Sequence, residues 1–240
     1  MKNVTRSLVL VAALTLLALV PGGFADTFTL ISGGPGNAYG ESTGPYSASI
    51  NGVTTPVWCD DIRDTMPTGL QFTYNAVAGN AIIYGANTNV MWGADTTGKY
   101  TAQQNYGAAA WLMIQAVANP SQASLYNFAI WDAFNDAAVT AKIGLGNNPF
   151  TLLQVQALVT TAVNSYSAAD LAHVTFFLDS QCAGLGIDQG QNCTPTSYGA
   201  QEFGVVPEGG TALAYSLMAG IACFGAMFYS RRQNAMNGLV

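Results

Sequence analysis

Apolar and polar residues alternate along YSASINGVTTPVWCD, Tyr46 to Asp60, on either side of Asn51-Gly52. That dipeptide readily takes the positive φ values of a type I′ turn, so the stretch predicts a β-hairpin. Counting by twos places Val53, Thr55, Val57 and Cys59 on one face of the second strand, with Trp58 and Asp60 on the other. Cys59 is therefore expected on the core side. Further strands are predicted for TFTLIS (Thr27 to Ser32), LQFTYNAVA (Leu70 to Ala78), HVTFFLD (His173 to Asp179) and QEFGVV (Gln201 to Val206).

In the middle of the chain the period changes. AQQNYGAAAWLMIQAVA, Ala102 to Ala118, sets Tyr106, Ala109, Met113 and Val117 at helical spacing. NPSQASLYNFAIWDAFND follows, with Asn119 expected as N-cap and Pro120 at the first helical position. A third helix is predicted over Leu152 to Tyr166, which has good helix formers and no internal breaker. Strands, then three helices, then strands argue for an α+β domain rather than alternating α/β. The glycine-rich SGGPGNAYGE, Ser32 to Glu41, lacks GxGxxG or Walker spacing and reads as a loop.

The two ends have a different character. Residues 1–25 carry Lys2 and Arg6, an uncharged apolar run from Leu8 to Val20, and small residues at Gly23 and Ala25. This is the pattern of a cleaved signal peptide, and the run is short against the roughly 20 residues that cross a hydrocarbon core. Thr211 to Tyr229 is a charge-free stretch of 19 residues followed by Arg231 and Arg232. Such a stretch is expected to form one transmembrane helix, with the arginines kept in the cytoplasm. The expected organisation is a leader (1–25), one exported domain (26–206) and a C-terminal segment (207–240). Between residues 26 and 206 three basic residues (Arg63, Lys99, Lys142) stand against twelve acidic ones. A nucleic-acid partner is disfavoured, because phosphate neutralisation needs a basic patch.

The span is preceded by VVPEGGT, Val205 to Thr211. The order of short motif, span and arginine pair resembles the PEP-CTERM family of sorting signals, with Pro207, Glu208, Gly209 and Gly210 as the motif and Arg231 and Arg232 as the basic end. It departs at Gly209, where the name-giving motif has a second proline. The resemblance implies a membrane exosortase as partner, and a destination at the surface or in the exopolysaccharide matrix of a Gram-negative bacterium.

Four cysteines follow from this placement. Cys182 and Cys193 bracket the loop CAGLGIDQGQNC, and in an oxidising exported setting a disulfide between them is the economical reading. By loop entropy such a bridge is worth about 3 kcal/mol at most. Cys223 falls inside the predicted span, and Cys59 is left over.

VWCDD around Cys59, YGAAAWLM from Tyr106 to Met113 and YNFAIWDAF from Tyr126 to Phe134 resemble, in order and rough spacing, the Cys-Gln thioester domains of bacterial surface proteins. In that family a cysteine on an early strand is linked to the glutamine of a TQxAIW-like motif, and some members attach covalently to external nucleophiles. Here Ala129, Ile130 and Trp131 match AIW, and Asn127 stands where the family has glutamine. The resemblance implies a Cys59–Asn127 pair; one methylene fewer displaces the amide carbon by about a bond length, which matters in an oriented reaction. The alternative is a domain that keeps the fold with Cys59 as an inert buried thiol.

Other chemistry is thinly represented. Asp60, Asp61 and Asp64 have the ligand type for a hard cation but no EF-hand spacing, and read as a solvated acidic turn. His173, the single histidine, has no GxSxG to accompany it and reads as a surface residue at the start of a strand. Trp58, Trp111 and Trp131 sit in motifs expected in the core, whereas Trp92 is loop-like and a candidate sugar contact. No metal or other cofactor is expected. The functional expectation is a non-enzymatic surface or matrix protein of structural or adhesive role; the alternatives are a covalent adhesin using Cys59 and an exported hydrolase.

Overall fold

The computed structural model describes residues 27–62, 66–94, 99–144, 146, 149–179, 182 and 201–207. The leader, Asp64, Cys193, Glu208 and everything beyond it, including Thr211 to Tyr229, lie outside these residues. The strands are β1 (Thr27–Ser32), β2 (Gly36–Ala38), β3 (Glu41–Thr43), β4 (Tyr46–Ile50), β5 (Val53–Cys59), β6 (Gln71–Ala78), β7 (Thr175–Asp179) and β8 (Phe203–Val205). The helices are α1 (Ala102–Ala118), α2 (Ala123–Ile143), α3 (Leu152–Ser165) and the short α4 (Ala168–Ala172). The domain is thus α+β. No helix among the described residues is long and apolar enough to cross a membrane.

Six strands close an antiparallel barrel in the order β1-β4-β5-β8-β7-β6. The predicted hairpin joins β4 to β5, with Ile50 opposite Val53 and Tyr46 opposite Val57. Asn51 and Gly52 have φ of 51° and 82°, the double positive φ of the turn. Asn51 also ties the turn to the barrel, because its Oδ1 accepts from the Thr27 amide at 2.9 Å and its Nδ2 donates to the Tyr74 hydroxyl at 3.0 Å.

Alternation sends one set of side chains into the barrel and the other toward the helices. Phe28, Leu30, Ala48, Val57, Cys59, Phe177, Phe203 and Val205 form the interior cluster. Phe28 stacks there between Phe72 and Phe203, with ring centroids 5.0 and 4.9 Å away. Trp58 on β5 and Phe176 and Leu178 on β7 belong instead to the larger cluster built with α1, α2 and α3. The far end of β5 is therefore buried on both faces, whereas Val53 at its start is exposed.

Three details depart from the sequence expectation. The glycine-rich stretch is not simply a loop, since β2 pairs with β3 as a small hairpin. Asn119 ends α1 instead of capping the next helix; its amide N–H and its side-chain Nδ2 both donate to Gln115 O. Pro120 opens a 3₁₀ turn, and α2 begins at Ala123. Finally α2 runs past Asp136 to Ile143, through a break at Asn135 (φ −146°, ψ 70°). The Asn135 Oδ1 accepts from the Ala138 amide at 3.1 Å, so the side chain caps the continuing segment as an N-cap would.

Gly52 is the position where this register depends on a missing side chain. Gly52→Ala places a Cβ in the left-handed region and is expected to lower stability by about 1 kcal/mol in denaturant unfolding, with an unchanged slope.

Candidate functional site

The seam between the barrel and the helices contains the polar groups with chemical potential. On β5, Cys59 points into the barrel and is 1 % exposed. Its Sγ donates to the Asp61 carbonyl at 3.1 Å and accepts from the Asp61 amide at 3.4 Å, a tight turn at the strand end. Burial pushes the thiol well above its ordinary range, and the carboxyls of Asp60 and Asp61 add to this; the Asp61 amide and the approaching Trp131 indole oppose it. The Trp131 N–H falls short of regular hydrogen-bond geometry. A reactive thiolate needs the opposite surroundings, a cation or a helix N-terminus close by.

Helix α2 carries Asn127 to the same place, fully buried. Its Nδ2 donates to the Cys59 carbonyl at 3.1 Å, and its Oδ1 accepts from the Gly44 amide at 2.6 Å. The two partners fix the amide orientation, because the reverse would oppose donor to donor and acceptor to acceptor. Asn127 and Cys59 are thus neighbours, but the amide engages the cysteine's backbone. The close approach requires glycine at position 44: a Cβ there would lie 2.8 Å from the Trp58 ring and 3.1 Å from Asn127 Oδ1.

On the opposite face of β5 sits a second polar group that sequence reasoning missed. β5 and β8 pair with Cys59 opposite Phe203, and the Asp60 amide donates to the Glu202 carbonyl at 3.3 Å. Asp60 and Glu202 are 1 % and 0 % exposed. The Glu202 Oε1 accepts from the Tyr106 hydroxyl at 2.6 Å and its Oε2 from the Met91 amide at 3.0 Å. The Tyr106 oxygen in turn accepts from the Trp92 amide at 3.0 Å. Burial raises the Glu202 carboxyl while its hydrogen bonds to Asp60, Tyr106 and Met91 lower it. Asp60 is raised well above the usual carboxylate range by burial, then by the charge and hydrogen bond of Glu202, then by Asp61; the Trp92 indole works the other way.

The acidic turn expected at Asp60 and Asp61 is therefore corrected: both are buried, Asp60 against Glu202, and Asp64 lies outside the described residues. Among the described residues no group of three or more His, Cys, Asp or Glu side chains is placed to hold a metal ion. Trp92 is also corrected. It is 2 % exposed and packs on Phe134 at 5.8 Å, so no sugar can stack on it. Trp58 and Trp131 are buried as expected, and Trp111 is half-buried against the same core. His173 is a surface residue beside β7, with Nδ1 2.9 Å from Ala169 O. Cys182 is buried and disulfide-bonded, while Cys193, its expected partner, lies outside the described residues. A cleft of about 390 Å³ is lined by Glu41, Ile62, Ala137, Ala138, Ala141 and Lys142, with Glu41 and Lys142 ion-paired.

A further carboxyl, Asp132 on α2, is pushed up to about 7 by burial and by the charge and hydrogen bond of Asp136, with Lys99 opposing. Asp136 also accepts from Thr140 at 3.2 Å and from Gln156 at 3.3 Å.

Removing the Asn127 amide strands two buried backbone groups at once. Asn127→Ala is expected to destabilise the domain by about 2–6 kcal/mol in denaturant unfolding, since each orphaned group costs roughly 1–3. A loss under 1 kcal/mol would show that the amide is dispensable to the seam. Compared with known protein families, with characterised proteins and with solved structures, the chain finds no match.

Proposed function

We propose that this chain is a non-enzymatic protein of the cell surface or extracellular matrix, structural or adhesive in role, delivered there by an exosortase-type sorting enzyme. On this reading residues 26–206 are exported, and residues 207–240 hold them at the inner membrane by one transmembrane helix until the tail is processed. The order of VPEGG, a charge-free stretch of 19 residues and Arg231-Arg232 supports the sorting step. Pro207 is exposed at the edge of the described domain, and the glycines after Glu208 propagate a helix poorly, which suits an accessible processing strip. The partners on this reading are the sorting enzyme and matrix components such as exopolysaccharide.

One observation carries the non-enzymatic reading: Cys59, Asp60, Asn127 and Glu202 are each no more than 1 % exposed. Substrate cannot reach them in the folded domain, so the Asp60–Glu202 pair is sealed from hydrolytic chemistry. A second reading, the covalent adhesin, is favoured by the contact between Asn127 and Cys59. There Sγ would attack the side-chain carbonyl carbon of Asn127, the C–Nδ2 bond would break, and Nδ2 would leave as ammonia with the thiol proton. That step gives up the hydrogen bond to the Cys59 carbonyl and needs a thiol that burial does not hold protonated.

Two measurements test the proposal. The purified protein is expected to show no deficit of about 17 Da, the mass of the expelled ammonia. A deficit that Cys59→Ala abolishes would replace the structural reading by the adhesin. Deleting Pro207 to Gly210 is expected to leave the uncleaved chain in the inner-membrane fraction; normal arrival at the surface would remove the sorting step.

A further inference from the structure

The Asp60–Glu202 contact contains more than a buried acidic pair, because counting donors locates a proton. Glu202 accepts at both oxygens, from the Tyr106 hydroxyl and from the Met91 amide, which is the behaviour of a carboxylate. Neither oxygen of Asp60 receives a regular hydrogen bond from any N–H or O–H of the described residues. Continuing the β5–β8 register puts Asp60 directly opposite Glu202, and the Asp60 amide donates to the Glu202 carbonyl at 3.3 Å. Two ionised carboxylates in that position would repel in a low-dielectric interior, whereas one proton on Asp60 makes the contact a short, charge-assisted hydrogen bond.

Among the described residues no cation faces the pair. From β5 the groups facing the pair are the Asp61 carboxyl and the Cys59 thiol. From α1 it is the Tyr106 hydroxyl; from the segment before α1, the Met91 and Trp92 amides and the Trp92 indole. The β4 phenol of Tyr46 lies near Cys59, and α2 contributes the uncharged Asn127 and Trp131. The described cations are engaged elsewhere: Lys142 with Glu41, and Lys99 over the Tyr100 ring and beside Asp132 and Asp136.

We infer that Asp60 and Glu202 form an alkali-sensitive proton latch, in which one shared proton clamps β5 to β8 and, through Tyr106, Met91 and Trp92, clamps the barrel to α1. When solvent base removes that proton, two buried negative charges face each other and the seam between barrel and helices opens. The sign follows from linkage: the folded state holds a proton that the unfolded chain releases at ordinary carboxylate pH. Stability is therefore greatest in acid and falls as pH rises toward the point where the folded state lets go.

The test is the thermal midpoint of the full chain across pH, with near-ultraviolet circular dichroism reporting the packing of Trp58 and Trp92. Asp132→Asn is used as background, because Asp132 titrates in the same direction. In that background the midpoint is expected to fall by roughly 5–10 °C between about pH 6 and pH 9, the shift that a few kcal/mol produces in a domain of this size. Adding Asp60→Asn supplies a permanent donor to Glu202, and is expected to abolish most of that slope and raise the midpoint at the alkaline end. A flat profile with Asp60 present, or an equal slope with D60N, would overturn the latch. Should D60N fail to fold, infrared difference spectra of the D132N protein decide. A protonated-carboxyl carbonyl band present at neutral pH, and lost as the near-ultraviolet signal collapses, supports the latch; no such band overturns it.

Discussion

Polar groups buried between a barrel and a helical layer must find partners there, and the rest of this structure depends on how they do so. β5 is the strand that meets the condition on both faces, since Val57 and Cys59 point into the barrel while Trp58 and Asp60 face the helices. At the end of β5 the Asn127 side chain donates to the Cys59 carbonyl and accepts from the Gly44 amide. One side chain thus fixes α2, the end of β5 and the corner before β4 relative to one another. The absence of a side chain at Gly44 and the packing of Trp58 follow from that fixed distance.

Among the described residues the buried carboxyls of the seam meet no cation. Three basic residues over the whole stretch from 26 to 206 cannot match twelve acidic ones. Surface carboxylates tolerate this, but a buried one does not. Two carboxyls that burial and an acidic neighbour raise, Asp60 beside Glu202 and Asp132 beside Asp136, are where this imbalance is felt. With the shared proton inferred for Asp60 and Glu202, the internal hydrogen bonding is coupled to pH in the alkaline direction, opposite to the usual acid lability of salt-bridged proteins. This coupling stands apart from the question of what the protein binds.

Much of the architecture was legible in the sequence, for local reasons. Period-two alternation and the Asn51-Gly52 turn identify β4 and β5, and the uninterrupted apolar spacing of Ala102 to Ala118 matches α1 residue for residue. The inward position of Cys59 follows from the same alternation. The small β2–β3 hairpin was illegible because its residues, GNA and EST, carry no apolar alternation; its pairing comes from the turn at Tyr39-Gly40, both at positive φ. The burial of Asp60 depends on the Glu202 segment, from the other end of the domain, so nothing near it in sequence signals it. Glu202 had one faint signal: it lies inside the predicted strand Gln201 to Val206, where a lone acid next to Phe203 is at odds with an exposed edge. Trp92 looked exposed because its neighbours are turn residues, yet Tyr106 and Phe134 on two helices enclose it.

The central claim is that Cys59 and Asn127 form a structural joint and not a reactive centre. Alkylation of Cys59 in the native protein, followed by peptide mapping at increasing denaturant, tests it most directly. The account predicts that the label enters only as fast as the domain unfolds, with the denaturant dependence of global unfolding and immediate reaction once unfolded. Rapid native-state labelling of Cys59, or its failure to label even when unfolded because the sulfur is already bonded to Asn127, would contradict the account.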